Sequence, residues 1–327
     1  MDFEIYFLIL FIFLFNFIIF FKFNTISQNF IFFDKPDGRL KRHSKPISLI
    51  GGLVILINLY LITFFLKLLK IENSIFEGNY AYAVIFLSTT YYIIGLVDDL
   101  KNLKPYTKLS LLVFSTFLII YIFPEISLQF IKISFLKTNY ELKYSLLFLV
   151  LAFALLSNSM NMFDGINLQL LLFTLFVFIV FILKGFCSIF FSLLIINLLF
   201  LIILNYKNKV YLGDGGAYLI SSVIGCTFVY QYNNFDNFFL GDEVFIILII
   251  PAIDMLRLFI VRILNKTHPF KGDLNHFHHI VDSLTKNKEL TVILTISASI
   301  LPTIFLFLNV KTYYILFFTL IFYFSVL

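Results

Sequence analysis

The chain has 327 residues, of which 61% are hydrophobic, 20% aromatic and only 13% charged, with a formal net charge of +5. A water-soluble domain carries about twice that charged fraction, and 46 Phe cannot all be hidden in a soluble core of this size. Composition therefore excludes a soluble enzyme, implies membrane lipids as surroundings with no nucleic-acid partner, and predicts a polytopic membrane protein.

A spanning helix needs about 20 apolar residues. On that basis the sequence predicts an all-α bundle of about ten or eleven spans, with eleven candidates at 3–21, 47–66, 81–97, 109–123, 144–162, 168–183, 186–204, 217–231, 244–263, 290–308 and 312–327. No soluble insertion and no internal repeat interrupts them, so 1–327 reads as one integral membrane domain. The acidic start, Asp2 and Glu4 ahead of the first apolar run, is unlike a cleavable signal and reads as an uncleaved first span. Cys187 and Cys226 lie in separate apolar runs and read as buried structural thiols.

The connections alternate in character. Those following odd-numbered spans, with Arg257 and Arg262 beside them, hold 16 of the 24 Lys and Arg, and the opposite set holds seven. Positive charge marks the cytoplasmic side. Most of the polar motifs fall on that same side. A carrier using carboxylates as ion ligands would place them near mid-membrane, so a cation-coupled carrier is the less favoured alternative to an enzyme working on a soluble substrate.

The first connection, DKPDGRLKRHSKPISLIGG from Asp34, is cationic and contains Arg39 and Lys45. Such a loop suits anionic lipid headgroups and equally a phosphate-bearing substrate. The third candidate span ends abruptly in adjacent carboxylates, Asp98 and Asp99, within GLVDDLKNLKPYTKL. Neighbouring carboxylates at the end of an apolar segment call for a divalent cation or a titrating proton. The fifth span ends in NSMNMFDG, where Asn158, Asn161 and Asp164 recur every third residue and predict one polar helical stripe. Interhelical polar contacts alone are the competing explanation. YLGDGGA from Tyr211 flanks Asp214 with glycines that let backbone N–H groups approach a ligand closely. PAIDMLRLFIVR from Pro251 carries Asp254 and Arg257, three apart and able to neutralise each other. The loop HPFKGDLNHFHH from His268 gathers four of the five histidines. It lacks the cysteines and spaced acids of a zinc site and suits phosphate oxygens better.

These six segments, in this order, resemble the polyprenyl-phosphate N-acetylhexosamine-1-phosphate transferases of glycosyltransferase family 4, in particular the bacterial undecaprenyl-phosphate N-acetylglucosamine-1-phosphate transferase branch. The resemblance implies attack by a polyprenyl phosphate on the β-phosphate of a UDP-N-acetylhexosamine, releasing UMP and starting an envelope glycan such as lipopolysaccharide, at the cytoplasmic face of the inner membrane. It implies Asp98 and Asp99 as the essential carboxylate pair and Asp214 as ligand to Mg²⁺, with Mn²⁺ as a substitute. Asn158, Asn161 and Asp164 belong to the nucleotide-sugar site by the same resemblance, His276, His278 and His279 lie near the diphosphate, and a homodimer is compatible with it. Direct attack and a covalent aspartyl intermediate both remain open. Asp98-Asp99 is also reminiscent of aspartate-rich prenyl synthases, but the second aspartate-rich motif they need is missing.

The chain departs from the family pattern in places. Asn102 stands where many relatives carry a third Asp, Ala217 where Ser is common, and Asn167-Leu168 where Asp-Gly often follows. The first loop and the histidine run differ from those of the branch that transfers phospho-muramoyl-pentapeptide, which argues against that activity.

Overall fold

The computed structural model describes residues 2–30, 32–34, 45–71, 79–136, 139–235, 238–267, 269 and 273–327. They form helices joined by short connections, with two two-residue hairpin ladders. In chain order the helices are α1 (Asp2–Phe21), α2 (Phe23–Gln28), α3 (Gly51–Leu68), α4 (Tyr80–Lys101), α5 (Pro105–Ile122), α6 (Ser145–Phe163) and α7 (Gln169–Leu183). They continue with α8 (Ser188–Tyr206), α9 (Gly213–Asn234), α10 (Gly241–Ile247), α11 (Ile249–Leu264), α12 (Phe277–Thr285), α13 (Lys288–Phe307) and α14 (Thr312–Val326). The strands are β1 (Phe33–Asp34) paired with β2 (Ile47–Ser48), and β3 (Phe130–Ile131) paired with β4 (Tyr140–Glu141).

Every predicted span has a helical counterpart, but fewer qualify as spans. Among the described residues, α1, α3, α4, α5, α6, α8 and α13 are long and apolar enough to cross a membrane, and α10 with α11 makes an eighth if one bent pair counts once. The helices α7 and α14 are apolar but only 15 residues long. The ninth predicted span is not continuous: α10 and α11 meet at 82°. Pro251 in the first turn of α11 has no N–H for the carbonyl of Ile247, where α10 ends, so the helical ladder cannot run through.

Helix α9 occupies the middle of the bundle, buried without interruption from Gly215 to Val229. It is among the less apolar helices because its environment is protein rather than lipid. Small and hydroxyl-bearing residues allow neighbours to come close. Ser221 Oγ meets Ser157 Oγ of α6 at 3.0 Å and Ser222 Oγ meets Ser88 Oγ of α4 at 2.9 Å. A Cβ on Gly52 at the start of α3 would lie 2.7 Å from Gly216. One on Gly95 of α4 would overlap the backbone of Gly215. Glycines thus let α3 and α4 converge on the first turn of α9.

A second polar knot holds α1. Asn16, Asn58 of α3 and Asn197 of α8 are buried, with Asn16 Nδ2 donating to Asn58 Oδ1 at 2.8 Å and Asn197 Nδ2 to Asn16 Oδ1 at 2.7 Å. Cys187, at the start of α8, and Cys226, in α9, are both buried.

The connections sort to two ends. Tyr211 N donates to Ser48 O at 2.8 Å, Leu168 N to Asn205 Oδ1 at 2.7 Å, and the Gly165 turn lies against His278. The connections after α6 and α8, the end of the one between α2 and α3, and the start of α12 therefore share one end. The β3–β4 hairpin closes the other, where Ser134 binds Asp242 at the start of α10 and Thr312 at the start of α14.

Candidate active site

The site is built around the first turn of α9. Gly213–Ala217, read from the sequence as preceding a span that starts at Ala217, is already helical. Gly213 has φ +68, a conformation that favours glycine. The opening N–H groups of a helix lack intrahelical acceptors and carry partial positive charge. Here Asp99, from the end of α4, supplies the acceptor: Asp214 N donates to its Oδ1 at 3.1 Å and Gly215 N to its Oδ2 at 3.3 Å. A carboxylate from one helix thus caps another.

Adjacent on a helix, Asp98 points elsewhere, as the roughly 100° step between neighbours requires. It is buried, accepts from Leu103 N at 2.8 Å and is ion-paired with Lys108 Nζ at 2.8 Å. The same ammonium lies 3.7 Å from Asp214 Oδ2. Asp214 Oδ1 accepts from Asn161 Nδ2 at 2.6 Å. Asn102 ends α4 in the left-handed region, its N–H on Asp98 O at 2.7 Å. Pro105 opens α5 and delivers Lys108 back towards the carboxylates.

The structure therefore brings together Asp98, Asp99, Asn161 and Asp214. The predicted polar stripe divides. Asn158 is buried and donates to Ala154 O of its own helix at 2.8 Å, whereas Asn161 turns to Asp214. Asp164 follows the last turn of α6, where burial and then the charge of Asp99 push its carboxyl up to about 7.

The histidines, expected on a loop, open helix α12 with His276 at its N-cap position. His276 Nδ1 lies 3.3 Å from Asp254 Oδ2, so this residue is anchored in the bundle. His278 is 1% exposed, and a side chain at Gly165 would overlap its imidazole. Burial, then neighbouring His279 and His276, hold His278 well below the usual imidazole range, so it is neutral at pH 7. The rings of His278 and His279 are 4.3 Å apart. Asp254 and Arg257 pair at 2.8 Å, as their spacing suggested. Arg262 donates to Asp273 Oδ2 at 2.9 Å and to Pro269 O at 2.7 Å. Lys45 is exposed, and Arg39 lies outside the described residues.

Sequence reasoning missed Lys108 as a site residue and counted it only as a positive charge. Its spacing ten residues from Asp98 became informative only with the tight α4–α5 turn. Among the described residues no group of three or more His, Cys, Asp or Glu is arranged to hold a metal ion. The donors present are hard carboxylate and amide oxygens, with Lys108 between Asp98 and Asp214.

Residues 81–232 match the model of glycosyl transferase family 4. This is the family that the motifs resemble, matched here over residues 81–232. The matched region contains Asp98, Asp99, Lys108, Asn158, Asn161, Asp164 and Asp214. Undecaprenyl-phosphate alpha-N-acetylglucosaminyl 1-phosphate transferase of Thermotoga maritima is 28% identical to this chain over 298 residues, covering 87% of the chain and 84% of the relative.

Proposed function

We propose that this protein transfers phospho-N-acetylhexosamine from a UDP-sugar to polyprenyl phosphate, undecaprenyl phosphate above all, yielding polyprenyl-diphosphate-sugar and UMP. The observation that carries the reading is the convergence of Asp98, Asp99, Asn161 and Asp214 on the first turn of α9, beside Lys108. The family match and the name of the Thermotoga relative support it. The excess of cations on the connections at this end supports a cytoplasmic site in the inner membrane, where the product would start an envelope glycan.

In the reaction a lipid phosphate oxygen forms a bond to the β-phosphorus of the UDP-sugar. The bond from that phosphorus to the bridging oxygen breaks, and the oxygen leaves with UMP. Two like unit charges 4 Å apart repel by about 4 kcal/mol at an effective dielectric near 20. Carboxylates alone would add to this repulsion. Mg²⁺ keeps several waters and needs only one or two carboxylates, so the oxygen donors here fit it without a three-ligand cluster. Asp214, oriented by Asn161, is the residue that would hold it, with Mn²⁺ as a substitute. When bound, the ion neutralises the diphosphate and the departing UMP. Lys108 lies against both Asp98 and Asp214 and offsets part of their charge. Asp98 or Asp99 takes the proton of the lipid phosphate. Asp164 and the neutral His278, which lies against the adjoining Gly165, would face the nucleotide-sugar, with Asn158 behind them and His276 and His279 nearer the diphosphate. Arg39 and Lys45 would add positive charge at the entrance.

The test offers purified protein a panel of UDP-sugars with undecaprenyl phosphate and measures UMP. UMP release from a UDP-N-acetylhexosamine that needs both lipid and Mg²⁺ is expected. Asp214→Asn should abolish turnover and weaken Mg²⁺-dependent nucleotide binding, while Asp99→Asn abolishes turnover with nucleotide affinity kept within about tenfold. Lipid-independent UMP release, or none from any UDP-sugar, would refute the proposal.

A further inference from the structure

Behind the histidines lies a buried network that the reaction itself does not use. Asp254 of α11 is 5% exposed, and a carboxylate so enclosed requires donors. Its Oδ1 accepts from Tyr323 Oη at 2.7 Å, from Arg257 at 2.8 Å and from Phe277 N at 3.0 Å, while Oδ2 faces His276 Nδ1 at 3.3 Å. Phe277 N is an opening N–H of α12, and His276 is its N-cap residue. Asp254 therefore caps α12 from a different helix.

Tyr323, on α14, fixes that carboxylate. Its hydroxyl donates to Asp254 and accepts from Arg257 Nε at 2.8 Å, so it stands between acid and base. Its ring, 0% exposed, stacks on Phe277 with centroids 5.2 Å apart and planes at 29°. One side chain thus touches the first turn of α12 by its ring and holds the cap of that turn by its hydroxyl. The same short helix presents His278 to the Gly165 turn, next to Asp164.

We propose that Tyr323 is a positioning residue for the sugar-1-phosphate transfer, holding the histidine-bearing end of α12 in register through Asp254. The kinetic part of this proposal rests on the transferase reading; the structural part does not. Removing the hydroxyl leaves Arg257 Nε without this acceptor and frees the Asp254 carboxylate to swing towards the guanidinium, away from Phe277 N and His276.

The experiment uses full-length protein in lipid nanodiscs, labelled with ¹⁵N-histidine, as wild type and Tyr323→Phe. In the wild type the His276 signal, assigned by its loss in His276→Gln, should report a proton on Nδ1 facing Asp254. In Tyr323→Phe that signal should show mixed tautomers, and kcat/KM for UMP release should fall about tenfold, the worth of one hydrogen bond to a charged group. Adding Asp254→Asn to Tyr323→Phe should cost no more than Asp254→Asn alone, because the two act as a unit. An unchanged His276 signal would overturn the proposal, as would kcat/KM within twofold of wild type or fully additive losses. Arg257→Gln, which removes the hydroxyl's other partner, takes the place of Tyr323→Phe should that variant not fold. If the wild type releases no UMP, the transferase reading fails on its own, while the His276 signal still decides whether Tyr323 orders α12.

Discussion

Gly213→Ala tests the junction of α4 with α9 most directly. At φ +68 an alanine is in the left-handed region, at a cost of about 1–2 kcal/mol. Its Cβ would also lie 2.5 Å from Asp99 Oδ2 and 3.1 Å from Asp99 Cγ, so the carboxylate must withdraw. Withdrawal breaks the hydrogen bonds from Asp214 N at 3.1 Å and Gly215 N at 3.3 Å. These are long for charge-assisted bonds, so about 1.5 kcal/mol each is a fair value. The sum is about 4–5 kcal/mol, of which about 3 comes from Asp99. Gly185→Ala is the control: φ is +83 there, but no atom lies within 4 Å of the added Cβ, so only the backbone cost applies. Thermal denaturation in detergent and UMP release would be measured for both. Gly185→Ala should lose about 1–2 kcal/mol with activity nearly intact, and Gly213→Ala should lose about 3 kcal/mol more and at least a hundredfold in kcat/KM. Equal behaviour of the two variants would refute the assignment of Asp99 as the partner of the α9 N-terminus.

Three further outcomes are expected. Asp164 titrates near 7 in the folded protein, against about 4 for a free carboxyl, so the folded state binds its proton more tightly between those values. This contribution is fully present below about pH 4 and is lost as pH rises to about 7; Asp164→Asn should remove that slope in melting temperature measured across the same range. Leu168 sits at φ +73, a region that favours glycine, so Leu168→Gly should destabilise less than Leu168→Val although valine keeps more apolar surface. Denaturation midpoints ranked the other way would show that burial outweighs strain there. Asn16→Ala removes the shared partner of Asn58 and Asn197 and should cost about 1–2 kcal/mol in a detergent-unfolding titration, with UMP release per folded molecule unchanged.

Much of this molecule was legible from residue pattern. Runs of apolar residues are local, and a bilayer offers each run the same solution, a helix with its own hydrogen bonds satisfied. The alternation of cationic connections assigned the polar motifs to one end, where the structure gathers them. Continuity was less legible: the break between α10 and α11 depends on Pro251 and a bend that hydropathy does not register, whereas α7 and α14 follow their apolar runs closely and are simply too short to count among the full-length spans. Glycines in YLGDGGA pointed to close backbone approach, but the approach is made by α3 and α4 as well as by any ligand.

By itself the sequence determined an all-helical membrane protein, the polar end of its bundle, and the carboxylates, amides and histidines that carry its resemblance to a family. Only the tertiary structure decided what each of them touches. Asp99 reaches the amides of residues 214 and 215, Lys108 joins Asp98 to Asp214, and Tyr323 holds the cap of α12. The physical reason is separation. Helix periodicity relates residues three or four apart, whereas Asp99 and Asp214 are 115 positions apart and meet only because glycines at 52, 95 and 216 let three helices pack backbone to backbone.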